Sequence, residues 1–227
     1  MIALQRWQNL CQQLGIGNSS AIEQEFDRII VAYGEAHRAY HTAQHINECL
    51  ELLDWARGHS LCRILQSPVL EIALWYHDVV YQPQGPDKKC PINKHQNERQ
   101  SANQAIAFLQ AYGRLPQRVK QDHTHRVESL IMATSHFTDN ESGELTDWIL
   151  DIDLAILGTS PQRFLEYNTQ IRQEYSEIPI TVYEAKRQVL LAQFLRRSTI
   201  YRSALFRERF ETQAQENLST LIHQEIR

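Results

Sequence analysis

Apolar residues recur at helical spacing along most of the chain. In segment 19–33, Ile22, Phe26, Ile29 and Ile30 lie three or four positions apart, after two serines that can cap a helix. Prolines or glycines stand near the ends of several such segments, as they do at helix boundaries. The same pattern predicts helices at about 40–55, 69–80, 97–112, 116–134 and 145–157, others beginning at 161 and near 181, and one or two over 199–226.

The composition supports a helical chain. Only 8 glycines and 7 prolines occur among 227 residues, about half of the roughly 12% that these two residues make up on average. A sandwich or barrel of short strands needs many more tight turns, so these classes are disfavoured. No repeat or Gly/Ser linker divides the sequence. We therefore expect one all-α domain over residues 1–227, with nine or ten helices.

Charge and cysteine content narrow the class further. The formal net charge is −4, which disfavours binding of a nucleic-acid polymer through overall electrostatics. The cysteines form no CxxC pair, and no signal segment or apolar run of about 20 residues is found. We expect a soluble cytoplasmic protein with reduced thiols and no membrane contact.

Polar residues interrupt a segment that otherwise looks buried. His77 and Asp78 stand between Trp75 and Val79 in ALWYHDVVY. A carboxylate in such surroundings costs several kcal/mol unless it is paired or binds a metal. Adjacent side chains within a helix point about 100° apart, but at a helix end both can converge on one ion.

Three further groups of His or Asp residues lie in or beside segments that are otherwise apolar. His41 and His45 are four positions apart, which predicts that both imidazoles share one helical face. Asp151 and Asp153 interrupt the most apolar helix, and His136 follows the helix predicted at 116–134. Each residue taken singly is more often a hydrogen-bonded core residue than a metal ligand. Together they favour one shared metal, because one ion satisfies all of them.

The motifs restrict the chemistry. In HTAQH, Thr42 stands where the Glu of H-E-x-x-H belongs, which argues against a zinc protease. P-loop, dinucleotide-binding and serine-hydrolase motifs are absent from the sequence. A mixed His/carboxylate set suits Mn²⁺, Mg²⁺, Fe²⁺, Zn²⁺, Co²⁺ or Ni²⁺ and leaves open which ion binds, and whether one or two bind per chain.

The order of these residues resembles a known signature. His45, then His77 and Asp78, then Asp153 resembles the H…HD…D pattern of the HD-domain metal-dependent phosphohydrolases. Over about 34–205, the chain is similar to a bacterial subfamily described as predicted HD-superfamily phosphohydrolases. The resemblance implies a phosphodiesterase-like helical bundle. The segments that carry it are YHTAQHI at 40–46, ALWYHDVVYQP at 73–83, NERQSA at 97–102, ATSHF at 133–137 and DIDLAILG at 151–158.

The resemblance implies metal ligands and a general acid. It gives His45, His77, Asp78 and Asp153 as ligands. The segment YHTAQH is also similar to the YHNxxH segment of cyclic-nucleotide phosphodiesterases, which implies that His41 protonates the leaving group and His45 binds metal. The reverse assignment of these two histidines stays open.

Two other residues keep alternative roles. His136 resembles a later histidine that some relatives use for a second metal or for the substrate phosphate. Asp151 either orients a ligand or competes with Asp153 for the ligand role.

These assignments predict a hydrolysis reaction. A divalent ion held by two imidazoles and two carboxylates lowers the pKa of a bound water and offers hydroxide to phosphorus. Asp78 or a neighbouring carboxylate accepts the water proton, and His41 protonates the leaving oxygen. Developing phosphate charge requires cations, for which Arg38, Arg99 and Lys94 are candidates. We expect a phosphomonoester or phosphodiester of a small metabolite as substrate, with a nucleotide favoured.

Other functions fit the same pattern. Relatives of this fold with additional histidines are di-iron oxygenases, and a non-catalytic helical module would bind a nucleotide or a protein. The C-terminal Arg/Glu-rich helices fit either a homodimer face or packing on their own domain. The loop predicted at 82–96 carries three lysines beside His77 and Asp78 and is a candidate lid over an anionic substrate.

Overall fold

The computed structural model describes residues 3–83, 95–135 and 143–224. Within these ranges it contains ten α-helices, two short 3-10 turns and no strands, which confirms the all-α prediction. The helices form a single bundle. They are α1 (Leu4–Gln13), α2 (Ser19–Tyr33), α3 (Ala43–His59), α4 (Pro68–Tyr76), α5 (Gln96–Tyr112), α6 (Gln117–Ala133), α7 (Glu144–Leu154), α8 (Pro161–Glu174), α9 (Ile180–Leu195) and α10 (Ala204–Gln224).

Helix α4 is the centre of the bundle. Every residue from Val69 to Tyr76 is buried, and α1, α3, α5, α6 and α7 pack around it. Trp75 contacts Trp7 edge-on, with ring centroids 5.1 Å apart. Burying an apolar side chain of this kind contributes about 1.5–3 kcal/mol, so the apolar sequence of α4 explains its central position.

Helix α4 also buries a carboxylate, at Glu71. Arg6 contacts one of its oxygens at 2.7 Å and Arg57 the other at 2.8 Å. The two guanidiniums neutralise the charge that would otherwise be unpaired in the core.

The boundaries of two helices determine where the candidate residues lie. Helix α4 ends at Tyr76, so His77 and Asp78 follow the helix instead of lying inside it. Helix α3 begins at Ala43, where the Thr42 side chain accepts a hydrogen bond from the Gln44 amide. His41 therefore precedes α3 and His45 lies in its first turn. The expectation that both imidazoles share one helical face is wrong, because the helix begins between them.

The C-terminal part of the chain also differs from the predicted boundaries. The apolar segment predicted as one helix at 145–157 divides into α7 and a 3-10 turn, Ala155–Gly158. This turn packs closely on α10: a Cβ placed on Gly158 would lie 2.5 Å from the Phe210 carbonyl oxygen. Glycine is therefore required there for α10 to approach. In the described part of the chain, no helix has the length and apolarity needed to span a membrane.

Candidate metal centre

Four side chains from separate parts of the sequence converge beside α4. His45 comes from the first turn of α3, His77 and Asp78 follow α4, and Asp153 is near the end of α7. The Nε2 atoms of His45 and His77 are 3.0 Å apart. An Asp78 oxygen lies 3.5 Å and 3.1 Å from these two nitrogens. An Asp153 oxygen lies 3.3 Å and 3.5 Å from them.

These distances fit a metal site. Ligand atoms bound at about 2.0–2.2 Å to one ion in tetrahedral or octahedral geometry are separated by roughly 3.0–3.5 Å. The imidazoles are buried, whereas the side chains of Asp78 and Asp153 are 19% and 13% exposed, so an ion held here would be approached from the carboxylate side. The group His45, Cys49, His77 and Asp153 could also hold a metal ion, since its ligand atoms all lie within 4.8 Å of one another.

Local contacts orient the His77 ring. Its Nδ1 lies 2.8 Å from the Leu74 carbonyl oxygen, and this carbonyl can only accept. The proton therefore stays on Nδ1, and the Nε2 lone pair faces the centre. This is the usual second partner of a metal-binding histidine.

The electrostatics of the centre favour a cation. Burial by itself would lower the pKa of His77, but Asp78 and Asp153 outweigh burial and raise that pKa well above its ordinary value. Burial would raise the pKa of Asp78, yet His77 and His41 hold it well below its usual range. Asp78 is therefore ionised, and its negative charge beside two imidazoles favours positive charge in the centre, as protons or as a metal ion.

A second carboxylate fixes His41. The Glu174 Oε2 atom lies 2.7 Å from Nδ1 of His41 and accepts a hydrogen bond from the Tyr81 hydroxyl at 2.8 Å. The Tyr81 ring stacks on the imidazole with centroids 4.0 Å apart. Because Nδ1 is held by Glu174, the other nitrogen of His41 faces Asp78, 4.0 Å away. His41 therefore stands at the edge of the cluster with one nitrogen directed into it.

Backbone amides anchor Glu174 in turn. Its Oε1 accepts from the amides of Ala39, Tyr40 and His41 at 2.8–2.9 Å. Burial alone would raise the pKa of Glu174, but the hydrogen bond and charge of His41, with these amides, hold it at about 2. Glu174 is thus an ionised support for His41 at neutral pH.

Sequence reasoning overlooked Glu174, although a signal was present. Glu174 continues the spacing of Phe164, Tyr167 and Ile171 on the buried face of α8. A carboxylate at that position needs a partner inside the protein.

Asp151 lies away from the centre. Its two oxygens accept from the amides of Arg202 and Ser203, both at 2.7 Å, just before α10 begins. Burial raises its pKa to about 6, although these hydrogen bonds oppose the shift. Residues two apart on a helix point about 200° from each other, so Asp153 faces the histidines while Asp151 fixes the start of α10. The expectation that Asp151 orients or replaces a metal ligand is corrected accordingly.

Arg38 does not have the expected role of a phosphate-binding cation. Its side chain is fully buried, and its guanidinium donates to the carbonyls of His41, Asp78 and Val79 and to the carboxylate of Glu35. No donor remains for a substrate, and Arg38 instead ties the segment before α3 to the segment after α4.

The remaining candidates are not brought into the cluster by any described contact. Arg99 is exposed in the first turn of α5. His136 and Lys94 lie outside the described residues, as does most of the loop predicted at 82–96.

A cleft leads away from the centre along α3. Its volume is about 310 Å³. His45 and Asp153 line one end, and Trp55 and Arg209 line the other, with Cys49 between them. No sequence pattern predicts this cleft, because Cys49 and Trp55 look like ordinary members of an apolar helix face.

No family model, no curated protein and no solved structure matches this chain, so its function is argued from the metal centre and the cleft themselves.

Proposed function

We propose that this protein is a metal-dependent hydrolase of phosphate esters, of the HD-domain class that its H…HD…D pattern resembles. The observation that supports the proposal is the convergence of His45, His77, Asp78 and Asp153 at ligand-to-ligand distances of 3.0–3.5 Å. A structural metal site has no need of an oriented histidine beside it. His41, held by Glu174 and directed at Asp78, favours a catalytic centre.

The four ligand residues would hold one divalent ion. An ion bound there would supply Lewis acidity, which activates water for attack on phosphorus and polarises a phosphoryl oxygen. Two imidazoles and two carboxylates suit Mn²⁺, Mg²⁺, Fe²⁺, Co²⁺, Ni²⁺ and Zn²⁺. The exposed side of Asp78 and Asp153 admits water and the phosphate group.

The protein's own residues move the protons. Asp78 is ionised and lies at the open side of the cluster, where it accepts a proton from the attacking water. His41 presents Nε2 at the same side and donates a proton to the leaving oxygen. Glu174 and Tyr81 keep the imidazole in that orientation, so no reorganisation is needed as the bond breaks.

The substrate we propose is a phosphomonoester or phosphodiester of a small metabolite, with a nucleotide favoured. The cleft beside His45 and Asp153 has the size of a small-molecule site. The free thiols of Cys11, Cys49 and Cys62 fit the reducing cytoplasm in which we propose that it acts.

The test is loss of metal and activity together in His77→Ala. The wild type should bind about one ion per chain and release phosphate from 4-nitrophenyl phosphate or a nucleotide panel with Mn²⁺, Mg²⁺, Co²⁺ or Ni²⁺. His77→Ala should lose the ion, measured by elemental analysis, and lower kcat/KM by about 1,000-fold or more, because the Lewis acid that activates the water is lost with it.

The matched control is His125→Ala, which removes an exposed histidine of α6 and should change neither quantity. A metal-loaded wild type that hydrolyses no phosphate ester would contradict the proposal. Bound iron with oxygen consumption would instead support a di-iron oxygenase.

A further inference from the structure

The cleft is built on one stripe of α3. His45, Cys49, Leu52 and Trp55 line it, and their spacing of three or four residues places them on one face of the helix. Ten residues separate its two ends, which corresponds to about 15 Å along a helix with a rise of 1.5 Å per residue. The rest of a ligand whose phosphate reaches the metal centre can therefore lie along this elongated cleft.

At the end of the cleft away from the metal centre, the Arg209 guanidinium stacks on aromatic rings. The guanidinium carbon of Arg209 lies 4.1 Å from the Trp55 ring centroid and 5.0 Å from that of Phe210. Phe206 and Phe210 pack edge-on against Trp55 and hold its ring in place. Stacking occupies the face of a guanidinium but leaves the N–H groups at its edge available to an anion.

Arg209 and Arg163 both line the cleft, but they differ in whether their charge is paired within the protein. Arg163 donates two hydrogen bonds to the Glu48 carboxylate, at 3.1 Å and 3.0 Å, so its charge is neutralised within the protein. No hydrogen bond or ion pair to Arg209 is found in the described part of the chain, and its side chain is exposed. The Glu51 carboxylate, which also lines the cleft, accepts from Asn47.

We propose that Arg209 binds a second anionic group of the substrate, a carboxylate or a phosphate, roughly 10–15 Å from the phosphate that is hydrolysed. This inference rests on the proposed function. The planar guanidinium pairs with either anion through two parallel hydrogen bonds. The substrate is accordingly a phosphate ester with an anion at each end, and Arg209 selects it over an ester of the same length with a neutral end.

The experiment compares rigid substrates that differ only in the distal anion. Biphenyl-4-yl phosphate and 4′-carboxybiphenyl-4-yl phosphate form the long pair, while phenyl phosphate and 4-carboxyphenyl phosphate form a pair too short to reach Arg209. In the wild type, the carboxylate should raise kcat/KM of the long pair about tenfold, mainly through KM. The short pair should show no such gain.

The variants assign that gain to Arg209. Arg209→Gln should abolish the preference within the long pair, and Arg209→Lys, which keeps the charge but not the planar fork, should retain part of it. Arg118→Gln, which removes an exposed arginine of α6 outside the cleft, should keep the full preference. Because Arg209 is exposed, its substitution should leave the unfolding temperature unchanged, which excludes misfolding as the cause.

Three outcomes overturn the inference in distinguishable ways. Equal hydrolysis of both long compounds by the wild type, or a preference that survives in Arg209→Gln, rejects the second anion site and leaves the phosphohydrolase proposal intact. A wild type that hydrolyses none of the four compounds with any of the metals rejects the proposed function, and the inference fails with it.

Discussion

The two sides of His45 are built by different means. On the His41 side, hydrogen bonds fix every group: Glu174 accepts from three backbone amides, from His41 and from Tyr81. On the cleft side, ring stacking holds the end that carries Arg209. Trp55 is held by aromatic neighbours, Arg209 rests on it without a hydrogen bond in the described chain, and the Cys49 sulfur lies 3.8 Å from both nitrogens of His45.

This difference matches two different requirements. Proton transfer demands a donor placed to within a fraction of an ångström, and a buried hydrogen-bond network supplies that precision. Substrate selection only requires a complementary surface, which apolar and stacking contacts provide while leaving side chains able to adjust. We therefore expect changes on the His41 side to lower kcat and changes on the cleft side to alter KM or selectivity.

The largest expected effect is on kcat and comes from His41→Ala, a change on the His41 side. Loss of the proposed general acid should lower kcat for an alkyl phosphate by about 10²–10⁴-fold, while the metal content stays at that of the wild type. The loss should be much smaller for 4-nitrophenyl phosphate, because its leaving group needs no protonation. Steady-state kinetics on both substrates and elemental analysis give the measurement.

The same experiment decides whether His41 or His45 is the metal ligand. If His41→Ala loses the metal, then His41 is a ligand and the His41 side is part of the metal site. Equal losses on the two substrates would remove the general-acid role.

Next in size is the effect of Glu174→Gln on stability. The folded-state pKa of Glu174 is about 2, below its ordinary 4.5, so the ionised form stabilises the fold fully above about pH 4.5, and this contribution is lost as the pH falls towards 2. At pH 7 the variant should be less stable by roughly 3 kcal/mol. The deficit should shrink below pH 4.5. Urea unfolding at pH 7 and pH 3 measures both values.

Glu51→Gln is the matched control on the cleft side. Glu51 is exposed, so its substitution should change stability by less than about 0.5 kcal/mol at either pH. Equal effects of the two substitutions would show that the His41 side is no more firmly built than the cleft.

Much of the fold can be predicted from the sequence, for physical reasons. Apolar spacing predicts α2, α5 and α6 closely, because one face of each packs on the core. The apolar pattern does not predict helix α1, because its stripe is short, with Trp7, Leu10 and Cys11 as its buried residues. The pattern also predicts too late an end for α4, since apolar residues continue through Val79 and Val80 after the helix has ended at Tyr76.

In the candidate site, too, some residues are predictable from the sequence and others only from the tertiary structure. The His and Asp residues stand out because they interrupt apolar segments, and the structure brings His45, His77, Asp78 and Asp153 together. Asp151 interrupts the same helix as Asp153, and only tertiary structure shows that it faces α10 instead. Glu174 is 133 residues from His41 in sequence, and no local pattern predicts such a pairing.

The smallest expected effect comes from Cys49→Ser, which tests where the metal centre ends and the cleft begins. The Cys49 sulfur lies 3.8 Å from both Nδ1 and Nε2 of His45, so it lies against the ring. An Asp78 oxygen lies 3.5 Å from Nε2 of His45 and 3.1 Å from Nε2 of His77. We therefore expect Asp78 to be the ligand and the variant to keep its metal with less than about a threefold change in kcat.

Substitution by Co²⁺ provides the decisive measurement. A thiolate ligand would give an intense near-ultraviolet charge-transfer band that disappears in Cys49→Ser, and such a band would make Cys49 a ligand. A softer site with sulfur would then favour Zn²⁺ or Co²⁺ over Mg²⁺. Without the band, all ligands come from imidazole and carboxylate, and Cys49 belongs to the wall of the cleft beside His45.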